Sequence, residues 1–287
     1  MKYKLQIVLV IWLTMPLDAM LNMVYLSSFS NVVTSCPTFC TIFHEYINPT
    51  DQIERLGYIG TALSAYNGQS MKSRGEQRRR ARYEAKQKAK AIHEGLKLGG
   101  EEPILIELDN EEFTQHPTKL REALEECSVI YVDGGNTFYL QKAMRDANFW
   151  EIAIPILRFG NSKCYMGCSA GAICAGKSIK TALFKGWDDP RAGGAIPEDY
   201  VWNDSSYCGA NLIGGGTSYS IFPHYKSAEG HDRLISAKLP LLGSDEAVLA
   251  IGDYEAIIKR EDEPEILCFD SRKAGMVHPH VTPSLLQ

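Results

Sequence analysis

Residues 165–172 read Tyr-Met-Gly-Cys-Ser-Ala-Gly-Ala, and they hold a Gly-x-Ser-x-Gly motif between a short apolar run and a helical stretch. A sharp turn from strand to helix forces the serine into strained backbone geometry, and a side chain at either glycine would collide with the turn. This is the context that a nucleophile elbow requires. The segment therefore predicts that the Ser169 hydroxyl is exposed at the carboxyl edge of a sheet, close to helix N–H groups. The alternative is a glycine-rich turn that serves packing only.

Apolar runs alternate with helical segments on both sides of this motif. Short apolar runs predict strands at 23–29, 55–61, 104–108, 129–133 and 163–166. Helical spacing predicts helices over 72–98, 118–126, 137–147 and 150–159. This order predicts an α/β fold in which a mostly parallel sheet is covered on both faces. Further along the chain, we predict a strand at 220–223, a helix near 230–239 and a hairpin formed by 247–251 and 254–259.

The composition is that of an ordinary globular protein. The chain has 287 residues, of which 45% are hydrophobic and 23% are charged, and this apolar fraction excludes intrinsic disorder. The formal net charge of −5 argues against a general nucleic-acid-binding protein. No linker-like stretch divides the chain, so we expect a single domain over 20–287.

The first 19 residues and the eight cysteines bear on the cellular compartment. A short basic start, an apolar run at 5–13 and a candidate cleavage site at Ala19 resemble a secretory signal peptide, with a plain N-terminal extension as the alternative. The run is too short to span a membrane. The cysteine spacing is typical of reduced, buried thiols rather than of a disulfide framework or a metal site. We therefore expect a cytoplasmic protein, or a secreted one if the leader is functional.

The stretch 72–98 is strongly basic. Its small and apolar side chains recur at helical spacing on one face: Ala81, Ala85, Ala89, Ile92 and Leu96. The pattern predicts an amphipathic helix whose charged face is solvated, with an anionic partner as the less favoured alternative.

A serine nucleophile needs an adjacent base. Residues 221–225 read Ile-Phe-Pro-His-Tyr, which is a predicted strand that ends in a histidine. A strand end at the same sheet edge is where the base must lie, so His224 is the candidate base. His278 and His280 flank Pro279 near the C-terminus, where we expect an exposed loop.

The third member of a triad is a carboxylate that fixes the imidazole tautomer. Asp188 and Asp189 lie between the serine and the histidine in a Trp-Asp-Asp-Pro segment that also fits a simple turn. An oxyanion hole needs two backbone donors, and the Ala170 N–H is one candidate. The segment 132–137, Val-Asp-Gly-Gly-Asn-Thr, offers a second donor, although a packing turn is an equally good interpretation of it.

Three motifs in this order resemble one known family. They are Gly-Gly-Asn-Thr-Phe-Tyr-Leu at 134–140, Gly-Cys-Ser-Ala-Gly-Ala at 167–172 and Phe-Pro-His-Tyr at 222–225. Together they resemble the dipeptidase E family of serine peptidases, the α-aspartyl dipeptidases related to cyanophycinase, and the likeness extends over about 23–259. The resemblance implies a class I glutamine amidotransferase-like fold, which is a three-layer sandwich around a mostly parallel sheet. It also implies a Ser-His-acid triad with no metal and no cofactor.

The resemblance assigns a role to each matching position. It implies Ser169 as nucleophile, His224 as base, Asp188 as triad acid, and the Gly135 and Ala170 N–H groups as oxyanion donors. Asp189 stays an alternative to Asp188, because the interval after the serine is a few residues longer than in the shortest members. The implied substrate is a dipeptide with N-terminal aspartate, and Arg191 is our candidate to bind its carboxylate. We expect a small peptide as the binding partner, no nucleic acid or membrane, and a homodimer as a candidate assembly.

Three other readings share parts of this pattern. An α/β-hydrolase-type esterase has the same elbow and the same Ser…Asp…His order, and its base would be His278 or His280. A glutamine amidotransferase-like enzyme would use a cysteine nucleophile, and Cys168 lies one position before the serine. The third reading is a non-catalytic binding domain that has kept the fold.

Overall fold

A computed structural model describes residues 21–28, 30–47, 55–65, 71–160, 163–213, 217–260, 263 and 265–282. The leader predicted at 1–19 lies outside the described residues.

Strands and helices alternate over most of the described residues, whereas the last five strands follow one another without an α-helix between them. The strands are β1 (Asn22–Leu26), β2 (Leu56–Ile59), β3 (Ile104–Leu105), β4 (Val129–Val132), β5 (Cys164–Cys168), β6 (Ser218–Pro223), β7 (Glu246–Ile251), β8 (Glu255–Arg260), β9 (Leu267–Asp270), β10 (Gly275–Val277) and β11 (His280–Thr282). The α-helices are α1 (Pro37–Ile47), α2 (Met71–Gly95), α3 (Glu111–Thr114), α4 (Pro117–Glu125), α5 (Thr137–Asp146), α6 (Phe149–Phe159), α7 (Ala170–Ala175), α8 (Asp204–Tyr207) and α9 (His231–Lys238).

The main sheet has the strand order β10-β9-β8-β1-β5-β4-β2-β3. Its half from β1 to β3 is parallel, whereas β8, β9 and β10 are antiparallel to their neighbours. A second, smaller sheet has the order β11-β7-β6, in which β6 and β7 are parallel. The prediction of a mostly parallel sheet in an α/β fold is confirmed.

Both faces of the main sheet are covered by helices. Successive side chains of a strand point to opposite faces. On β1, Met23 and Tyr25 join the core formed with α5 and α6, whereas Val24 and Leu26 join the core formed with α1 and α2. All four side chains are fully buried, which explains why the strand reads as a continuous apolar run. Sheet and helices therefore form three layers.

Helix α2 is amphipathic, as its sequence predicts. The four residues of its small and apolar face are all buried, namely Ala81, Ala85, Ala89 and Ile92, and so is Leu96 directly after the helix. Most of its charged side chains are exposed. Lys88 is an exception, because its Nζ donates a hydrogen bond of 3.0 Å to the buried carboxylate of Asp133.

The hairpin predicted for 247–251 and 254–259 is wrong. The two strands exist, but β7 pairs with β6 and β11 in the small sheet, whereas β8 pairs with β1 and β9 in the main sheet. The short turn at 252–254 therefore carries the chain from one sheet to the other. Strands β9 to β11 and helix α1 were not predicted, because their short or mixed sequences carry no clear period.

All eight cysteines are free thiols, and all except Cys208 are buried. Burial raises the pKa of the Cys164 and Cys174 thiols, so they stay protonated and pack as small apolar side chains. In the part of the chain that the structure describes, no helix combines the length and the apolar character needed to cross a membrane.

Candidate active site

Ser169 lies at a strained turn between β5 and α7. Its φ and ψ are 49° and −107°, a conformation that only tight surroundings impose on a residue with a side chain. A Cβ on Gly167 would lie 2.8 Å from the Ala172 nitrogen, and one on Gly171 would lie 2.2 Å from the Val132 oxygen. Both glycines of the motif are therefore required sterically, and the nucleophile elbow is present.

The Ser169 hydroxyl meets the imidazole of His224. The distance from Ser169 Oγ to His224 Nε2 is 3.0 Å, which is a hydrogen bond. His224 follows the last residue of β6 and itself has a positive φ of 54°. The two residues lie at the ends of strands in different sheets, and this turn of the backbone brings the ring to the serine. The structure thus joins the two residues that the sequence proposed as nucleophile and base.

Asp253 is the carboxylate that holds the other side of the imidazole. The distance from His224 Nδ1 to Asp253 Oδ1 is 2.6 Å. Asp253 follows β7, and because β6 and β7 are parallel with Pro223 opposite Ile251, the residues after both strands lie side by side. The hydrogen bond from His224 lowers the pKa of Asp253 to about 2, despite its partial burial. An ionised Asp253 fixes the hydrogen on Nδ1, so Nε2 is free to accept the Ser169 proton.

Ser27 connects the ends of three strands. It is buried directly after β1, and its Oγ donates to Asp253 Oδ1 over 2.8 Å and accepts the backbone N–H of His224 over 2.7 Å. The carbonyl of the preceding Leu26 accepts the N–H of Ser169 over 2.8 Å. The end of β1 therefore fixes the nucleophile, the base and the acid relative to one another.

The assignment of Asp188 as triad acid is corrected by this geometry. The Asp188 carboxylate accepts the backbone N–H of Thr137, at the start of α5, over 3.0 Å. The alternative, Asp189, accepts the backbone N–H groups of Arg191 and Gly193 within its own loop. Neither carboxylate is the hydrogen-bond partner of His224 Nδ1. Burial raises the pKa of Asp188, which nevertheless lines the pocket next to Ser169.

The predicted oxyanion donors lie beside the nucleophile. Gly135 lines the pocket at φ +136°, and a Cβ there would lie 2.4 Å from the Ala62 oxygen. A Cβ on Gly134 would lie 2.9 Å from the Cβ of Ser169, so this loop contacts the elbow closely. Ala170 is the first residue of α7, directly after Ser169. The roles of Gly135 and Ala170 as donors remain predictions.

The pocket at Ser169 has a volume of about 200 Å³ and carries charges of both signs. Its apolar lining includes Ile173, Ala182 and Phe222, and its charged lining residues are Asp188 and Lys185. Burial lowers the pKa of Lys185 to about 8. Arg191 is not brought to this pocket, because its guanidinium donates to the carbonyls of Pro197 and Tyr200. The cation beside the nucleophile is therefore Lys185, which the sequence analysis missed.

The residues that the alternative readings require lie elsewhere. His280 is part of strand β11 rather than of an exposed loop, and its ring stacks on Tyr225 and contacts Asp232. The Cys168 thiol is buried under the elbow and donates to the Ser27 carbonyl over 3.6 Å. Within the described residues, no group of three or more His, Cys, Asp or Glu side chains is arranged to hold a metal ion. Among these candidates, the side chains that meet in the pocket are Ser169 and His224.

Comparisons with known proteins give a consistent picture. The model of "Peptidase family S51" matches residues 104–267, which is more than half of the chain. Peptidase E of Haemophilus influenzae (strain PittGG) is 39% identical over 66 residues, and this segment is 23% of the chain and 27% of that relative. The chain therefore matches well under two thirds of that relative's length.

Two crystal structures share the fold. A protein provisionally named peptidase E from Listeria monocytogenes EGD-e superposes with a TM-score of 0.58 and 22% identity, over 88% of this chain and 99% of that one. A peptidase from an acI-B1 Actinobacterium gives a TM-score of 0.55 and 15% identity, over 93% of this chain and 96% of that one. The three-layer, class I glutamine amidotransferase-like fold that the resemblance implied is thus confirmed.

Proposed function

Because this chain belongs to peptidase family S51, we propose that it hydrolyses small peptides by means of a Ser169–His224–Asp253 triad. The observation that supports the proposal most directly is the continuous chain of hydrogen bonds that connects these three side chains. Ser169 Oγ lies 3.0 Å from His224 Nε2, and His224 Nδ1 lies 2.6 Å from Asp253 Oδ1, at the mouth of the pocket. This arrangement supports acyl transfer through a serine nucleophile.

The geometry supports the following sequence of steps. Ser169 Oγ attacks the scissile carbonyl carbon while its proton passes to His224 Nε2, and the carbonyl oxygen becomes an oxyanion that the Gly135 and Ala170 N–H groups stabilise. Asp253 keeps the proton on Nδ1 and stabilises the imidazolium. The C–N bond then breaks as Nε2 returns its proton to the leaving amine. Water, deprotonated by the same nitrogen, releases the acyl group and restores the serine.

The pocket favours short substrates. Its volume of about 200 Å³ is below the roughly 300–1,000 Å³ of typical ligand sites, which suits a substrate as small as a dipeptide. The Asp188 carboxyl lies on its wall, where an approaching ammonium group of an N-terminal residue would stabilise the ionised form and bind to it.

Dipeptides with N-terminal aspartate are the proposed substrates. The support is the resemblance to α-aspartyl dipeptidases and the similarity to a segment of Haemophilus influenzae peptidase E. The arginine that we expected to bind the aspartate side chain does not line the pocket, so this proposal depends on family likeness rather than on a contact.

The test is hydrolysis of a dipeptide panel by the wild-type protein and by Ser169→Ala. The panel holds Asp-Leu, Asn-Leu, Ser-Leu and Gly-Leu, with release of leucine as the readout. We expect the wild type to cleave Asp-Leu fastest and Ser169→Ala to lose all cleavage while keeping its circular dichroism spectrum. Cleavage that persists in Ser169→Ala would refute the nucleophile, and a preference for another first residue would refute the aspartate substrate.

A further inference from the structure

Lys185 is a half-buried cation in the wall of the pocket. Its Nζ donates to the backbone carbonyls of Pro223 and His224 over 2.7 and 2.8 Å. The same atom lies 4.3 Å from the ring centres of Trp187 and Phe222. An ammonium group has three N–H donors, so these two carbonyls leave one donor for another partner.

The positive charge of Lys185 is only partly balanced by carboxylates of the described residues. None of the carboxylates in the described part of the chain forms an ion pair with Nζ, although Asp253 and Glu229 act on it from a longer distance. Taking an ammonium group partly out of water costs free energy unless an anion compensates for it. A bound carboxylate would complete the site, and the pocket opens to solvent for such a group to enter.

The position of Lys185 relative to His224 identifies the side of the substrate that it faces. The leaving nitrogen of a substrate must approach His224 Nε2 to receive its proton. In a dipeptide, the carboxyl carbon is only two bonds, or about 2.5 Å, from that nitrogen. Lys185 is hydrogen-bonded to the carbonyl of His224 itself, and the ring of Trp187 is 6.0 Å from the imidazole ring. Both side chains therefore lie close to the residue that the leaving nitrogen must approach.

We infer that Lys185 and Trp187 form the leaving-residue subsite, in which Lys185 binds the C-terminal carboxylate and Trp187 packs against the second side chain. This inference rests on the proposed peptidase function. It adds the requirement that the substrate has only one residue after the scissile bond and that this residue has a free carboxylate. Trp187 is 65% exposed, so its ring is accessible to a substrate side chain.

The experiment measures binding on the Ser169→Ala background, where no turnover occurs. Titration calorimetry compares each dipeptide of the panel with its C-terminal amide, in Ser169→Ala alone and with Lys185→Met, Lys185→Arg or Lys226→Met added. Lys226→Met is the matched control. Lys226 lies two residues after His224, but it is exposed and pairs with Glu229. A last variant, Trp187→Ala, is titrated with pairs of dipeptides that share the same first residue and end in leucine or in alanine.

We expect the free acid of the best dipeptide to bind about 10-fold to 100-fold more tightly than its amide. Lys185→Met should abolish this difference by weakening the acid alone, whereas Lys185→Arg and Lys226→Met should preserve it. Trp187→Ala should reduce the preference for leucine over alanine in the second position.

Several outcomes would overturn the inference. Equal weakening of acid and amide by Lys185→Met would make the lysine a structural residue. A loss confined to Asp-Leu relative to Asn-Leu would place it on the aspartate side chain instead. Failure of every ligand to bind would also overturn it. Failure of the proposed function would give a different result. The protein with Ser169 intact would then not hydrolyse the dipeptides, even if the free acid bound more tightly than the amide.

Discussion

The exchange Asp253→Asn tests the corrected triad. In the wild type, the imidazolium that forms during catalysis has its positive charge about 4 Å from the Asp253 carboxylate, across a hydrogen bond of 2.6 Å. At an effective dielectric constant of about 20, this attraction amounts to about 4 kcal/mol, which corresponds to about 1,000-fold in rate. An asparagine also removes the acceptor that fixes the Nδ1 tautomer. We therefore expect kcat for the best dipeptide to fall by about 1,000-fold or more, with KM almost unchanged.

Asp188→Asn is the matched control, because it makes the same chemical change in the same pocket. Its carboxylate accepts the Thr137 N–H rather than the imidazole, so we expect kcat to stay within about tenfold of the wild type while KM rises. Steady-state hydrolysis across a range of dipeptide concentrations measures both constants. A wild-type kcat in Asp253→Asn together with a collapse of kcat in Asp188→Asn would refute the reasoning and restore the acid suggested by the sequence.

Three further predictions follow from neighbouring contacts. Ser27→Ala should lower kcat by about tenfold, since it removes the hydroxyl that holds Asp253 and the His224 N–H, and stopped assays at saturating dipeptide would show this. Gly135→Ala should lower kcat/KM by at least about 100-fold, because the added Cβ would collide with the Ala62 carbonyl and shift a proposed oxyanion donor. Gly194→Ala is the control, since Gly194 also has a positive φ but lies in open space, and it should not lower kcat/KM in this way. Similar losses in both variants would contradict the prediction. The kcat/KM of free-acid dipeptides should fall more steeply than that of C-terminal amides as pH rises through about 8, because Lys185 loses its charge there, whereas loss of the substrate's own ammonium charge affects both. The charged groups that act on Lys185 are Asp253, Glu229 and Lys226.

The nucleophile and the base could be predicted from the sequence because each has a local signal. The elbow leaves no space for a Cβ at Gly167 or Gly171, so the two glycines that flank Ser169 mark the turn in the sequence. His224 ends an apolar run, and the ends of strands in an α/β fold converge on one edge. The parallel sheet was predictable for a similar reason, since strands buried on both faces read as unbroken apolar segments.

The carboxylate that contacts His224, which we propose as the triad acid, could not be found in the same way, because its position depends on a pairing between distant strands. Asp253 follows β7 in a short turn, and the sequence alone favoured a hairpin there. Only the parallel pairing of β6 with β7 brings the turn beside His224. One signal in the sequence could have pointed to Asp253. An acidic residue that follows an apolar strand is a candidate partner of the base wherever that strand can pair with the strand that precedes the histidine.

Lys185 was overlooked for a related reason. A lysine in a polar loop normally extends into solvent, and no spacing rule marks one that folds back onto backbone carbonyls. Arg191 was preferred because a guanidinium suits a carboxylate, but the loop uses its donors to hold its own carbonyls. Side-chain roles that depend on how a loop folds are thus the part of the site that the sequence does not reveal.

The central claim is that Ser169 is activated by the imidazole of His224. The most direct measurement is the rate of phosphonylation by a fluorophosphonate, with the modified residue identified by peptide mass spectrometry. We predict rapid labelling of the wild type at Ser169 alone, and labelling slowed by at least about 1,000-fold in His224→Ala. Labelling at another serine, or equal rates in the wild type and His224→Ala, would contradict the account.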